Sequence, residues 1–98
     1  MYIYAYTDRV RFEWDPAKAR ANLSKHRVDF ADATAVLEDP RGLTRDDPHP
    51  REDRFVTLGL DALGRLLVVC WTSRGEDDIR IISARRATRS ESRQYEQD

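Results

Sequence analysis

The sequence predicts a small α+β domain, with two N-terminal helices and a C-terminal helix packed on an antiparallel sheet of about four strands. Three observations predict this architecture. Apolar residues at helical spacing follow a short strand near the N-terminus, three extended apolar segments follow one another between residues 54 and 84, and a helix-start motif lies near the C-terminus. Because no helical segment separates the three extended ones, we expect them to pair as a meander.

Composition limits the classes of protein that the chain can belong to. Its 98 residues fit one domain, its 40% hydrophobic content supports a core, and 36% of its residues are charged. The formal net charge of −1 lacks the basic excess typical of strong nucleic-acid binders. The single cysteine, Cys70, excludes an intrachain disulfide and a cysteine-rich zinc site. With no stretch long enough for a membrane span and no signal-peptide core, we expect a cytoplasmic protein without membrane contact.

The N-terminal segment has the period of a strand. Every second residue there is a tyrosine: Tyr2, Tyr4 and Tyr6. A short edge strand, an ordered arm and a loose tail all fit this pattern. We treat residues 1–10 as an N-terminal extension of a single domain formed by residues 11–98, which opens with a strand over Arg11–Trp14.

Two helices are predicted next. In the first, Asp15 is a good N-cap, Pro16 suits the first helical position, and the helix runs to about His26. We expect its apolar line to pass through Ala19 and Leu23. A second helix begins after the cap Asp29 and ends at Asp39-Pro40. Its buried positions recur at helical spacing: Phe30, Ala33, Thr34 and Leu37.

The second half of the chain is mostly extended. Strands are predicted over Arg54–Leu60, Arg65–Thr72 and Asp78–Ala84, with a further short strand near Gly42–Arg45. The sequence Thr88-Arg89-Ser90-Glu91 is a capping box, which predicts the start of a C-terminal helix.

His26 is the first candidate for chemistry, because histidine exchanges a proton near neutral pH. In metal-independent RNA cleavage the ribose 2′-hydroxyl attacks the adjacent phosphorus, one group accepts its proton and another protonates the departing 5′-oxygen. His26 could fill either role beside Lys25. The structural alternative is a helix-terminal histidine that stabilises the last carbonyls of its own helix.

Arg80 and the pair Arg85-Arg86 are the second candidates, because a guanidinium binds phosphate through two N–H groups at once. Strand alternation predicts that Arg80 shares a face with Ile82 and Ala84. The alternative is a solvated charged edge. We expect the end of the first helix and the last strand to meet over one hollow that could hold a phosphodiester.

The acidic loop permits two interpretations. Its carboxylates and histidine could form a divalent-metal cluster: Asp46, Asp47, His49, Glu52 and Asp53. Arginines are interleaved with them in a proline-broken segment, which favours a self-neutralising surface loop. We therefore predict no metal site and no cofactor.

Two motifs together resemble the BrnT family. The first is Phe12-Glu13-Trp14-Asp15-Pro16 with Lys18, Asn22 and Lys25-His26. The second runs from Gly64-Arg65-Leu66-Leu67-Val68-Val69 through Thr72, Arg74 and Arg80-Ile81-Ile82-Ser83-Ala84-Arg85 to Thr88, Glu91 and Tyr95. The resemblance covers roughly residues 11–96, with both motifs in the family's order and spacing.

The resemblance implies a metal-independent ribonuclease toxin of a type II toxin–antitoxin pair, with a RelE-like fold. It also implies a BrnA-like, DNA-binding cognate antitoxin that neutralises the toxin and through which the complex contacts operator DNA. The candidate catalytic residues are His26, Arg80, Arg85 and Lys25. The candidate RNA-binding residues are Lys18, Arg74, Ser83, Arg86 and Tyr95.

One departure from the family pattern keeps an alternative open. Arg27 stands where the family usually has a glycine, which would end the first helix in a left-handed conformation. A shift there would move His26. The alternative function is a catalytically inactive relative that binds protein or RNA, and a purely structural domain is a third.

Overall fold

The computed structural model describes residues 2–7 and 10–97, in which the strands form one six-stranded sheet of order β1-β2-β6-β5-β4-β3. The strands are β1 (Ile3–Thr7), β2 (Val10–Trp14), β3 (Leu43–Asp46), β4 (Arg54–Leu60), β5 (Leu66–Ser73) and β6 (Asp78–Arg86). The helices are α1 (Pro16–His26), α2 (Phe30–Ala33) and α3 (Arg89–Gln97), with a 3₁₀ turn over Thr34–Glu38.

The α+β class is confirmed, but the prediction of an antiparallel sheet of about four strands is wrong. The sheet is mixed, because β2 pairs with β6 in parallel while the other neighbouring strands are antiparallel. The segment that could have been a tail is the edge strand β1, which pairs with β2 along its length. Non-local pairing of this kind leaves little trace in local sequence.

The helix starts follow the predicted caps. Asp15 Oδ1 accepts from Ala17 N at 2.9 Å, and Asp29 Oδ1 accepts from Ala31 N at 3.0 Å. The second helix makes only one α-helical turn before it tightens into the 3₁₀ turn. There the Thr34 hydroxyl donates to the Ala31 carbonyl at 2.9 Å, and such side-chain bonds compete with the regular helical ladder.

The two faces of the sheet carry separate apolar clusters. The larger cluster lies under α1, α2 and the 3₁₀ turn, on what we call the helical face. It is built from Phe12, Trp14, Val28, Phe30, Ala33, Val36, Leu67, Val69, Ile81 and Ala84. The smaller one lies on the opposite face, where Tyr95 of α3 packs on Leu58 and Val68. No helix in the described part of the chain is long and apolar enough to cross a membrane.

The buried side of α1 differs from the prediction. Leu23 is 45% exposed, whereas Asn22 is buried. The Asn22 amide donates to the Ala84 carbonyl at 2.8 Å and accepts from the Ala84 N–H at 3.1 Å. It thereby satisfies the backbone hydrogen-bonding groups of Ala84 at the edge of β6, beyond the point where β2 ends. Helix α1 therefore lies along β6 in the place that a longer neighbouring strand would take.

Candidate functional site

A bulge in β6 decides which of its residues share a face. Ser83 pairs with Cys70 and Ile81 pairs with Trp71, so Ile82 is an extra residue between them. The prediction that Arg80 shares a face with Ala84 is therefore wrong, because Ala84 packs in the cluster on the helical face. Alternation restarts after the bulge and puts Arg80, Ser83 and Arg85 together, opposite the helical face.

We call this surface the open face. It consists of Arg11 and Glu13 on β2 with Asp78, Arg80, Ser83 and Arg85 on β6. The parallel register sets Glu13 beside Arg80 and Arg11 beside Asp78. Two of the predicted catalytic residues and one predicted RNA-binding residue thus lie on one surface, which α3 reaches at Arg85 through Glu91.

Arg80 is held on the open face by Glu13. Its Nε and Nη2 donate to Glu13 Oε2 at 3.1 and 2.9 Å, and the Glu13 side chain is only 7% exposed. The guanidinium carbon also lies 4.2 Å from the ring centroid of Tyr2. A guanidinium carries five N–H donors, so this pairing fixes its orientation and leaves further donors for an anion.

Arg85 belongs to the start of α3. Its Nη1 and Nη2 donate to the two carboxylate oxygens of Glu91, each at 2.9 Å. Glu91 completes the predicted capping box, because it accepts from Thr88 N at 2.8 Å and its own N–H donates to Thr88 Oγ1 at 3.2 Å. The hydrogen bonds from Arg85, together with those from Thr88, lower the pKa of Glu91 to about 2. These contacts support a clamp between β6 and α3.

Tyr95 is an anchor of α3. Its ring is 8% exposed, and its hydroxyl donates to Asp39 Oδ2 at 2.6 Å. That hydrogen bond, with burial, raises the pKa of Tyr95. The Arg41 guanidinium lies 5.3 Å from the ring centroid. The expectation that Tyr95 contacts RNA stays a prediction, while the structure shows Tyr95 buried in the packing of α3 on the sheet.

His26 and Lys25 lie at the end of α1. The next residue, Arg27, ends the helix in the left-handed conformation (φ 59°, ψ 30°), so it takes up the backbone geometry for which a glycine is usual. Its carbonyl accepts from Arg65 Nη1 at 3.1 Å, just before β5 begins. The end of α1 is therefore near the end of the sheet where β6 finishes.

The expected meeting of His26 and Arg80 over one hollow stays a prediction, on which the path of α1 along β6 bears. Arg80 pairs beside β2, whereas α1 passes Ala84 at Asn22 and continues for a further turn. The ion pair that the structure shows for Arg80 is the one with Glu13.

The other predicted RNA-binding residues are exposed but dispersed. Lys18 lies on α1, Arg74 in the turn between β5 and β6, and Arg86 at the end of β6 with alternation directing it away from the open face. In the acidic loop, Arg54 Nε lies 3.8 Å from Asp47 and 3.9 Å from Glu52. Among the residues described, no three or more histidine, cysteine or acidic side chains are grouped as metal ligands would be.

Glu13 is the residue that sequence reasoning missed. The available signal is alternation, because a carboxylate between Phe12 and Trp14 in a strand lies on the face opposite those aromatic side chains. The remaining signal, its pairing with Arg80, depends on the parallel contact of β2 and β6 and so required the tertiary structure.

Comparison with known proteins places this geometry in context. The family model for BrnT, described as the ribonuclease toxin of a type II toxin–antitoxin system, matches residues 14–91. The crystal structure of the Brucella abortus ribonuclease toxin BrnT is similar, with a TM-score of 0.58 and 26% sequence identity over 78% of this chain and 94% of that one. Among curated proteins, no sequence matches the chain closely enough to show a relationship.

Proposed function

Because the chain belongs to the BrnT family of ribonuclease toxins of type II toxin–antitoxin systems, we propose that it cleaves RNA and that Arg80 on the open face holds the scissile phosphate. The observation that carries the assignment to Arg80 is its pairing with Glu13, since a nearly buried carboxylate fixes the guanidinium without using all of its donors.

The reaction we propose is an internal transesterification. The 2′-oxygen forms a bond to phosphorus, the bond from phosphorus to the 5′-oxygen breaks, the 2′-hydroxyl loses its proton and the departing oxygen gains one. Negative charge grows on the phosphoryl oxygens, and an oriented guanidinium stabilises it without reorganising. Arg80 supplies that charge. Glu13 positions Arg80 through the two hydrogen bonds that its Oε2 accepts.

The test is single-turnover cleavage of RNA by purified, antitoxin-free protein. We expect Arg80→Ala to slow cleavage by about 100-fold or more, the range found when one donor to a developing anion is removed. Arg80→Lys keeps the charge but loses the fork, so we expect it to recover only part of the rate. Arg93→Ala, an exposed arginine of α3, is the charge-matched control and should cleave at the wild-type rate.

His26→Ala separates the two ends of β6. Because α1 contacts β6 at Ala84, beyond the stretch of β6 that pairs with β2, we place His26 outside the site and expect its replacement to slow cleavage by less than about 10-fold, below the usual contribution of a general acid or base. Equal losses in His26→Ala and Arg80→Ala would contradict a site confined to the open face. A wild-type protein that leaves RNA intact would contradict the enzyme and favour a binding module.

The same assay tests metal independence, which we propose because Arg80 can provide the positive charge that a metal would otherwise supply. We expect an excess of EDTA to leave the rate unchanged. Restoration of a chelator-inhibited rate by magnesium would contradict the proposal.

For the biological role, we propose growth inhibition relieved by a BrnA-like, DNA-binding cognate antitoxin that carries the complex to operator DNA. Membership in a type II toxin family supports a protein antitoxin. Expression of the chain alone should arrest growth, co-expression of the antitoxin should restore it, and Arg80→Ala should not arrest growth. Arrest by Arg80→Ala at wild-type protein levels would separate toxicity from the proposed site.

A further inference from the structure

The edge strand β1 extends the open face with aromatic side chains. Tyr4 pairs with Glu13 and Tyr6 pairs with Arg11, so both tyrosines project on the side of Arg80. Tyr2 follows by alternation, and the Arg80 guanidinium carbon lies over its ring. We call Tyr2, Tyr4 and Tyr6 the tyrosine strip. It lies outside the residues matched by the family model, 14–91.

The strip is exposed where aromatic residues are usually buried. Tyr4 is 46% exposed and Tyr6 is 72% exposed. Because β1 is an edge strand, its tyrosines have a neighbouring strand, β2, on one side and none on the other. Two exposed tyrosines beside a half-buried third, on one surface of the sheet, are the kind of patch that marks an interaction site.

Arginine side chains contact two of the three rings of the tyrosine strip. Arg11 is 4.6 Å from the ring centroid of Tyr4 and is itself fixed by Asp78, through bonds of 3.1 and 2.7 Å. Arg80 holds Tyr2 in the same way. Cation–π contact and the ion pairs limit the rotamers of these rings, so less entropy is lost when a flat ligand stacks on them.

We propose that the tyrosine strip stacks the bases of single-stranded RNA and leads the strand to Arg80. This inference rests on the proposed function. Side chains on every second residue of β1 are about 7 Å apart, and β1 is two strands, about 10 Å, from β6. One RNA strand can thus contact the strip and the phosphate-binding arginine together. Sheet surfaces with exposed aromatics bind two or three bases in this manner.

The charges on this surface favour stacking over simple phosphate attraction. Arg11 and Arg80 are each paired with a carboxylate, Asp78 and Glu13, so the surface has little net charge although Arg80 keeps further N–H donors for one phosphate. Few counterions are released when RNA covers a surface of balanced charge, so the affinity should depend only weakly on salt. We expect a slope of about −1 when the logarithm of the association constant is plotted against the logarithm of the salt concentration. A base has an aromatic face whatever its identity, so the strip should also tolerate many sequences.

The binding test uses the full chain and an unstructured 2′-O-methyl RNA of about a dozen nucleotides, which cannot be cleaved at the 2′-oxygen. Affinity is measured by fluorescence anisotropy. We expect the double variant Tyr4→Thr/Tyr6→Thr to bind at least about 10-fold more weakly, because each stacked base contributes substantially. Threonine keeps the strand propensity of β1, and circular dichroism verifies the fold. Tyr4→Phe/Tyr6→Phe keeps the rings and should bind normally.

Leu63→Ala is the matched control, because Leu63 is a large apolar residue with 66% exposure in the turn between β4 and β5, far from the strip. It should bind RNA normally. Ultraviolet crosslinking provides a direct readout: RNA should attach to the tryptic peptide of residues 1–9, and the threonine variant should lose that adduct.

The outcomes separate this inference from the proposed function. If wild-type protein cleaves RNA and the threonine variant binds the oligonucleotide as tightly as wild type, the strip is not an RNA platform and the enzyme stands. If the variant loses antitoxin binding while keeping RNA binding, the strip is a protein interface and the inference is wrong. If wild-type protein neither binds nor cleaves RNA, both fail.

Discussion

The pair formed by Arg85 and Glu91 should make a measurable contribution to stability, which Glu91→Gln removes while keeping the shape of the side chain. The pKa of Glu91 falls from the reference value of 4.5 to about 2 in the folded protein. At 1.36 kcal/mol per pKa unit, that difference corresponds to about 3 kcal/mol in the free energy of unfolding. Because the side chain is 21% exposed, screening reduces it, and we expect about 2 kcal/mol.

The sign of the pH dependence follows from the direction of the pKa change. Since the folded pKa of Glu91 lies below the unfolded one, its stabilisation is complete above about pH 5 and is lost as the pH falls toward 2. Urea unfolding of wild type and Glu91→Gln at several pH values measures the difference between their unfolding free energies. That difference should be about 2 kcal/mol at pH 7 and close to zero near pH 2. Taking differences cancels the protonation of the other carboxylates.

Glu96→Gln is the control, because it removes an equal charge from an exposed position of α3. It should change the unfolding free energy by less than about 0.5 kcal/mol. The reasoning is refuted if Glu91→Gln costs no more than this control at pH 7, or if its cost is the same at pH 7 and pH 3. Arg85 would then be free of the clamp and available to a ligand.

Three further substitutions test the packing of the site. Tyr95→Phe removes the hydrogen bond to Asp39 and should lower the free energy of unfolding in urea by about 2 kcal/mol. We expect its RNA cleavage rate to equal that of wild type. A slower rate would instead support a role for Tyr95 in RNA binding. Arg27→Gly should stabilise by about 0.5 kcal/mol because it relieves a left-handed backbone, with Arg27→Ala unchanged as control. Asn22→Ala leaves the backbone N–H and carbonyl of Ala84 without their partner and should lower the free energy of unfolding by about 3 kcal/mol. A decrease of less than about 1 kcal/mol would contradict the contact between Asn22 and the edge of β6.

The sequence by itself determined the features that depend on neighbouring residues. The caps at Asp15 and Asp29 and the capping box Thr88–Glu91 form as predicted, since each joins groups within a few residues of one another. Strand Arg54–Leu60 has the predicted bounds, because its apolar residues are bounded by the polar residue Asp53 before it and Asp61 after it. The family resemblance was likewise legible from two motifs and is confirmed over residues 14–91.

The arrangement of the site was decided only by the tertiary structure. The contact of Glu13 with Arg80 joins residues 67 apart in the chain, through a parallel pairing that no local pattern encodes. One extra residue in β6, Ile82, reverses strand alternation and unites Arg80 with Arg85 on the open face. The contact of the buried Asn22 with Ala84 sets the path of α1 along β6. Periodicity assigns residues to elements, whereas register and edge pairing depend on hydrogen bonds between distant segments, which decide which side chains meet.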